Sequence, residues 1–507
     1  MPYPSFLWST PLTSDTEPEA VIPESVISDL TLGADFRAGS LLYLRIPCSA
    51  DEIRMRQGIF RLALSDDQFL ETLGSLGQEI GELTSIIGYY DRAEDKRLRL
   101  MYFLPVLGRY LRLVKSFALL AGYPGRIGVV GAYFKAIEES GKYAAALSDY
   151  QEISNKRSSD MLYTIGSGGA FAVEGGESLL DRFNRYFSEM SVGEAVSQKK
   201  YALRADLTEA AAYSKVYSGF YASVELLYLK YAGYIDGRED DADDLRLMSV
   251  YSREIDFIID AAGYFRKLDA AEFSLSYPTV SEKREIVLNG LIDASLIKRE
   301  LCGSDIVPND LFMTEGSADG EKLSFYILTG ANGGGKTTFA RACGIALVFF
   351  LSGCPVTAES GRIYPFSAVF THFPANESFE NSGRFVNEAN RAEEIIDAAD
   401  NDSFVIFNET YSGTDEQKSE YYSKRLADMM YSRGVFGLFV THIHSLTGGE
   451  IPVLSAVVDE SDDNRRTYKI RRVGATSSSF AKDILEKYGL DKAGLEQRMK
   501  RSRDNVR

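Results

Sequence analysis

A glycine-rich segment of the chain carries the residue types that bind phosphate groups. It spans residues 330–337 and fits the pattern G-x-x-x-x-G-K-[ST]. Glycines allow backbone N–H groups to turn inward around phosphate oxygens, and a lysine at this position reaches the β and γ phosphates of a nucleoside triphosphate. The residues that we predict to hold the phosphates are Gly330, Gly333, Gly334, Gly335, Lys336 and Thr337.

The elements around this segment are those that a phosphate-binding loop needs. A strand pattern over 323–328 precedes the glycines, and a helical pattern over 337–350 follows them. The N-terminus of that helix adds the positive end of its dipole, and the hydroxyl of Thr337 is placed to bind Mg²⁺. We therefore predict a P-loop that binds ATP and Mg²⁺.

A second apolar strand ends in polar residues that could act on the same nucleotide. The strand pattern over Ser403–Phe407 is followed by Asn408 and Glu409. In P-loop proteins an acid at the first position holds Mg²⁺, and an acid at the second polarises the attacking water. Asn408 offers an amide oxygen without charge, so we predict Asn408 and Thr337 as metal-site residues and Glu409 as the general base. The alternative is an ordinary polar strand end.

A histidine follows a third apolar strand pattern, Leu438–Val440. His442 could sense the γ-phosphate by hydrogen bonding, and a merely structural role is the open alternative. A metal site is not favoured, because no further cysteine or histidine cluster accompanies His442 and His444.

Composition limits the classes of protein to consider. The chain has 507 residues, 45% of them hydrophobic, which suits two to four globular domains. Its four cysteines form no C-x-x-C pair, so we expect neither a structural zinc site nor disulfides, and a cytoplasmic location. We see no signal peptide, and the longest apolar run, 344–356, is too short to span a bilayer, so no membrane association is expected. The net charge of −17 counts against nucleic acid as a partner.

Periodicity divides the chain into two parts with a boundary near residue 290. Residues 1–45 are rich in proline, serine, threonine and acids, and suggest a loose leader or a small edge element. A largely helical part follows, in which one helix face carries Tyr251, Ile255, Ile258, Ala262 and Phe265. Beyond residue 309 short strands alternate with helices, which predicts an α/β domain with a largely parallel sheet.

The order of these motifs resembles the ATPase domain of the DNA mismatch-repair MutS family. The matching segments are 307–310, 329–338, 408–409, 412–414 and 441–442. They include Asn332 and Thr338, to which the resemblance assigns nucleotide contacts. More weakly, 51–60 is similar to the start of the family's core/lever domain, and 479–490 resembles its C-terminal helix-turn-helix.

The resemblance implies a domain order and an activity. It implies a leader (1–45), a helical core/lever domain with a short clamp-like tip (46–290), an ABC-type P-loop ATPase domain (291–475), and a helix-turn-helix dimerisation segment with a basic tail (476–507). It also implies a homodimer joined through its ATPase domains. Such a dimer shares its ATP sites across the interface and closes around DNA as ATP binds.

Several positions depart from the family pattern. Asn408 replaces the usual aspartate, which implies slow hydrolysis. The family's signature for contacting the nucleotide of the partner subunit falls at 382–388. Ser382 or Arg384 would make this contact here, unless Arg384 is an ordinary surface residue. The tip, 236–244, is acidic, and we find neither a mismatch-reading domain nor the Smr nuclease module of the second bacterial branch.

Two functions of different classes are therefore predicted. The first is a MutS-like, ATP-gated DNA clamp that lacks its own mismatch reader and is a slow ATPase. The alternative is a nucleotide-gated scaffold with little or no hydrolysis and no DNA binding. An ABC- or SMC-type ATPase of another kind is disfavoured, because 351–355 is not the Leu-Ser-Gly-Gly-Gln signature.

Overall fold

The structure, a computed structural model, describes most of the chain. The described residues are 3–12, 19–94, 96–154, 163–165, 169–171, 222–233, 248–316, 322–374, 384–411, 415–459 and 465–473. They fall into two compact units, Met1–Glu17 with Ser65–Ile259 and Pro18–Leu64 with Asp260–Arg507. The domain limits at 45, 290 and 475 were drawn from motifs, and they stay a prediction.

The helices of the described residues lie mostly in the first half of the chain. They are α1 (Glu24–Asp29), α2 (Ala38–Leu44), α3 (Ala50–Ser65), α4 (Asp67–Arg92), α5 (Lys96–Ala118), α6 (Gly125–Glu138), α7 (Gly141–Ser154), α8 (Met248–Ala270), α9 (Lys336–Leu351), α10 (Arg384–Ala398) and α11 (Glu416–Ser432). Residues 222–231 are also helical. Short 3₁₀ helices occur at Leu119–Gly122, Ala294–Arg299, Gly303–Asp305 and His444–Gly448.

The strands lie mostly in the second half. They are β1 (Tyr163–Ile165), β2 (Gly169–Phe171), β3 (Thr279–Val280), β4 (Glu285–Leu291), β5 (Asn309–Thr314), β6 (Phe325–Gly330), β7 (Ser360–Ile363), β8 (Ala368–His372), β9 (Ser403–Asn408), β10 (Phe436–Val440), β11 (Val453–Asp459) and β12 (Arg465–Arg472). A helical first half followed by a mixed α/β part is the architecture that the periodicity predicted.

The first unit is a helical core that includes the start of the chain. The rings of Phe117 and Phe134 stack with centroids 4.3 Å apart. Phe6 is fully buried, and its backbone N–H donates to a carboxylate oxygen of Glu254, also fully buried, at 2.8 Å. The interpretation of a loose leader is therefore wrong for residues 3–12, because aromatic burial and the buried carboxylate of α8 hold this segment.

Helix α8 confirms the helix face predicted from its spacing. Its side chains at steps of four and three are all fully buried, namely Tyr251, Ile255, Ile258, Ala262 and Phe265. Among the described residues, no helix combines the length and the apolar character needed to cross a bilayer.

The second unit contains a six-stranded sheet in the order β12-β11-β6-β10-β9-β8. All neighbours are parallel except β11 and β12, which confirms the prediction of a largely parallel sheet. A second sheet, β3-β7-β4-β5, is mostly antiparallel and was not predicted. β3 and β7 have only two and four residues, and β7 pairs with strands that lie far from it in sequence, so no local pattern indicated this sheet.

Helices cover both faces of the six-stranded sheet. Helix α9, which begins where the sequence predicted a helix after the glycines, is almost entirely buried and lies against the face that carries Ile406. Val405 and Phe407 point to the opposite face and form a core with residues of α10 and α11. Because side chains alternate along a strand, β9 is packed on both sides and its end is held in place.

Candidate nucleotide-binding site

The glycine segment forms a tight loop between β6 and α9. Gly330, Gly333 and Gly335 have φ values of +118°, +69° and +93°, a region that favours glycine. Gly335 is the N-cap of α9, and no described side chain accepts a hydrogen bond from this helix end. The first N–H groups of α9 are therefore available to an anion.

Lys336 lies inside this loop. Its Nζ donates to the carbonyl of Gly330 at 2.8 Å, to that of Ala331 at 3.2 Å and to Oδ1 of Asn332 at 3.4 Å. Burial lowers the pKa of Lys336, and the charge of Glu409 acts in the opposite direction. An ammonium held by carbonyls at the start of a helix can exchange these partners for phosphate oxygens.

The side chain of Thr337 lies close to that of Asn408, the last residue of β9. The Thr337 Oγ1 lies 3.4 Å from Oδ1 of Asn408, and Asn408 is buried. A hydroxyl and an amide oxygen are ligands that Mg²⁺ accepts, although both are uncharged. Among the described residues there is no group of three or more His, Cys, Asp or Glu placed to hold a metal. The pair therefore fits a metal whose other ligands are phosphate oxygens and water.

Glu409 lines the same cleft as the loop. Its backbone φ is +51°, and its N–H donates to the carbonyl of Val440 on β10 at 2.9 Å. Tyr411 also has a positive φ, +67°. The chain therefore makes a strained turn directly after β9, and Glu409 in this turn lines the cleft together with Lys336 and Thr337.

His442 is exposed and follows β10 by two residues. The N–H of Thr441 donates to the Leu328 carbonyl at 3.0 Å, so β10 stays paired with β6 up to this point. His442 is not among the described residues that line the cleft, and its role stays a prediction.

The remaining predicted residues lie partly or wholly outside the residues that the structure describes. Arg384 begins α10, but its side chain lies outside the described residues. The other segments outside them are residue 382, 412–414, the predicted tip 236–244 and the predicted helix-turn-helix 476–507.

The cleft has a volume of about 720 Å³ and extends from the loop to a wall that the sequence did not reveal. Tyr468 on β12 forms part of this wall, in a β-bulge where its own φ is +55°. A Cβ on Gly335 would lie 3.6 Å from Cδ1 of Tyr468, so the ring stands beside the loop. Asn309 holds this bulge, because its Nδ2 donates to the Tyr468 carbonyl at 3.0 Å and its Oδ1 accepts from the N–H of Ile470 at 2.7 Å.

A buried ion pair joins the cleft wall to α9. Asp293 is buried, accepts from the N–H of Ser295 at 2.9 Å, and lies 3.6 Å from Arg341 on α9. Burial raises the pKa of Asp293, against the effect of these two partners. The pair lies at the start of the 3₁₀ helix Ala294–Arg299, two residues of which, Leu296 and Arg299, line the cleft.

The arrangement is that of a P-loop ATPase-type domain: a strand, a glycine loop with its lysine, a helix, and a nearby parallel strand that ends in Asn408 and Glu409. Residues 326–493 match the family model described as MutS domain V. This match covers about a third of the chain, which in this part is similar to MutS-family proteins.

Curated relatives of two kinds are similar to the chain. Endonuclease MutS2 of Streptococcus suis is 30% identical over 231 residues, which make up 44% of this chain and 28% of the relative. DNA mismatch repair protein MutS of Lactobacillus delbrueckii subsp. bulgaricus is 25% identical over 331 residues, 62% of this chain and 37% of the relative. The chain thus spans well under half the length of these relatives.

Proposed function

We propose that the chain binds ATP with Mg²⁺ in this cleft and hydrolyses it slowly. One observation carries the proposal: the ammonium of Lys336 and the carboxylate of Glu409 line the same cleft at the N-terminus of α9. The lysine and the free N–H groups of the loop bind the phosphates, in which Gly330, Gly333, Gly334 and Gly335 take part through their backbone. Bound Mg²⁺ would supply positive charge at the phosphates, with Thr337 and Asn408 as its protein ligands.

Glu409 is proposed to accept a proton from the attacking water as a general base. Support comes from its place at the turn after β9, where Glu409 lines the same cleft as the residues of the phosphate loop. Asn332 and Thr338 complete the phosphate contacts in this proposal, and His442 responds to the γ-phosphate. Because Asn408 brings no charge to the metal, turnover is expected to be slow.

The base of the nucleotide is proposed to contact the Tyr468 ring. The ring lies beside Gly335 and is about half exposed, so one face is available for stacking. Ile306 and Val307 line the same end of the cleft and offer an apolar surface.

The printed names of the relatives support a role on DNA. One is named an endonuclease and the other a DNA mismatch repair protein. We propose that the chain acts in the cytoplasm as a dimer through its ATPase domain, with Ser382 or Arg384 reaching the partner's nucleotide, and that ATP gates its hold on DNA. The net charge of −17 implies that any DNA contact is confined to a local basic surface.

Nucleotide binding and steady-state turnover test this function. ATP affinity and ATP hydrolysis would be measured for the wild type, Lys336→Met and Glu409→Gln. We expect Lys336→Met to lose affinity and Glu409→Gln to bind ATP but to turn it over at background. A wild type that hydrolyses ATP no faster than Glu409→Gln would refute the proposal that the chain is an ATPase.

A second candidate, a nucleotide-gated scaffold without DNA binding, is favoured by one specific observation. Asn408 lies where the metal-binding acid is expected, with its Oδ1 3.4 Å from Thr337 Oγ1. DNA binding over a salt series separates the two functions, since a clamp that contacts phosphates weakens steeply as salt rises. No binding at low salt, with ATP affinity intact, would establish the scaffold.

A further inference from the structure

The turn that carries Glu409 is strained on both sides of one residue. Glu409 and Tyr411 have φ values of +51° and +67°, and Thr410 lies between them. We call residues 409–411 the Thr410 turn. Positive φ at residues with a side chain costs free energy and persists only where neighbouring contacts enforce it. The contacts that enforce this turn therefore determine where the Glu409 carboxylate lies.

Thr410 is held through its hydroxyl and through its backbone carbonyl. Its Oγ1 lies 3.0 Å from Nδ1 of His372, the last residue of β8. Its carbonyl accepts a hydrogen bond from Oγ of Ser423 on α11 at 3.2 Å. All three side chains are at most 2% exposed, so water does not compete for these bonds.

The neighbours of the turn come from three different elements. The N–H of Glu409 donates to the Val440 carbonyl on β10, while Thr410 is bound by β8 and α11. His372 is itself fixed by the sheet, because it pairs in register with Phe407 on β9. A buried histidine could simply fill space, but this ring lies within hydrogen-bond distance of the residue next to Glu409.

We propose that His372 is a positioning residue for Glu409. Through Thr410 it holds the strained turn in the conformation that keeps the carboxylate in the cleft. The inference rests on the proposed function, in which Glu409 is the general base, and it adds two residues, His372 and Thr410, that no sequence motif indicated.

The first test is turnover in matched variants. Thr410→Val keeps the branched shape and removes the hydroxyl, whereas Thr410→Ser keeps the hydroxyl. His372→Leu removes the ring nitrogen, and His372→Asn retains a polar atom near the place of Nδ1. We expect Thr410→Val and His372→Leu to lower kcat about tenfold with KM for ATP within about twofold, since phosphate binding does not use the turn.

The conservative partners Thr410→Ser and His372→Asn should recover most of kcat. The double variant His372→Leu/Thr410→Val should be no slower than either single variant, because both remove the same contact. A rise in KM with kcat unchanged, or additive losses in the double variant, would overturn the proposal.

A second measurement does not depend on hydrolysis. Glu409→Cys in a Cys302→Ser background places one thiol at the turn, since Cys48, Cys343 and Cys354 are buried. The rate at which a small thiol reagent modifies position 409 reports where that side chain lies.

We expect Thr410→Val to change this rate several-fold and Thr410→Ser to leave it unchanged. Equal rates in all three backgrounds would refute the positioning role even if the wild type hydrolyses ATP. If the wild type does not hydrolyse ATP but the rate of thiol modification changes as expected, the proposed ATPase activity is refuted and the positioning role is supported.

Discussion

Replacing Asn408 by aspartate should add a negative charge to the proposed metal site. Asn408 is the last residue of β9, is 4% exposed, and its Oδ1 lies 3.4 Å from Oγ1 of Thr337. The two side chains have nearly the same shape, so Asn408→Asp changes charge with little change in packing. A polar interaction with a charged group contributes about 1.5–3 kcal/mol, against about 0.5–1.5 kcal/mol for a neutral one. The added charge is therefore worth about 1–1.5 kcal/mol, which corresponds to roughly five- to tenfold tighter Mg²⁺ binding.

The same substitution should weaken the protein when no metal is present. A buried carboxylate would then lie close to Glu409 without a cation of its own, at a cost of about 1–3 kcal/mol. We therefore expect Asn408→Asp to have a lower unfolding temperature than the wild type without ligand. Its unfolding temperature should rise more than that of the wild type when Mg²⁺ and ATP are added.

The assay is a Mg²⁺ titration of ATP binding and of hydrolysis at saturating ATP. Asn289→Asp is the control, because Asn289 is exposed on β4, where its Nδ2 donates to Oγ of Ser360 at 2.9 Å, and it is not among the residues that line the cleft. It should leave the Mg²⁺ midpoint unchanged, while Asn408→Asp lowers it. An unchanged midpoint in Asn408→Asp, or equal shifts in both variants, would contradict the assignment of Asn408 to the metal.

Three further predictions concern the loop and the cleft wall. Gly330→Ala should destabilise the protein more than Gly434→Ala, because Gly330 has φ +118° and its Cβ would lie 2.8 Å from the Ala456 nitrogen, whereas Gly434 has φ +70° and open space. In denaturant titrations Gly434→Ala should lower the free energy of unfolding by about 1–2 kcal/mol, and an equal loss in Gly330→Ala would contradict the prediction. Tyr468→Ala should weaken ATP binding by about 1–3 kcal/mol in calorimetry while Tyr468→Phe should not, and a similar loss in both would exclude stacking. Affinity for ATP should fall as pH rises towards 10.5, the ordinary pKa of lysine, because burial lowers the pKa of Lys336 and only its protonated form attracts phosphate. Lys336→Met should bind ATP weakly and with an affinity that does not depend on pH. A wild type whose ATP affinity is equally independent of pH would refute the role of the Lys336 ammonium in binding phosphate.

Much of the site could be predicted because its signals are contiguous. The strand β6, the glycine loop and the helix α9 follow one another, so glycine placement and hydrophobic periodicity indicated all three. The apolar strands β9 and β10 were also found, and with them the position of Glu409. The helix face of α8 was correct because its five apolar side chains recur at helical spacing.

Other features had no local signal. The second sheet pairs β7 with strands that are distant in sequence. Residues 3–12 have no regular hydrophobic pattern but contain Phe6 and Leu7, which are fully buried. The wrong interpretation of this segment came from composition, which does not reveal a tertiary partner. Glu254 is such a partner, and nothing near residue 6 predicts it.

The amino-acid sequence by itself determined which groups can act on a nucleotide: an ammonium at Lys336, a carboxylate at Glu409 and an uncharged amide at Asn408. Tertiary structure decided what surrounds them. Tyr468 reaches the loop only because a bulge in β12 turns it there, and His372 meets Thr410 only because β8 and β9 pair in one register. Such contacts depend on strand pairing between remote segments, and a shift of one residue in register would point these side chains to the other face.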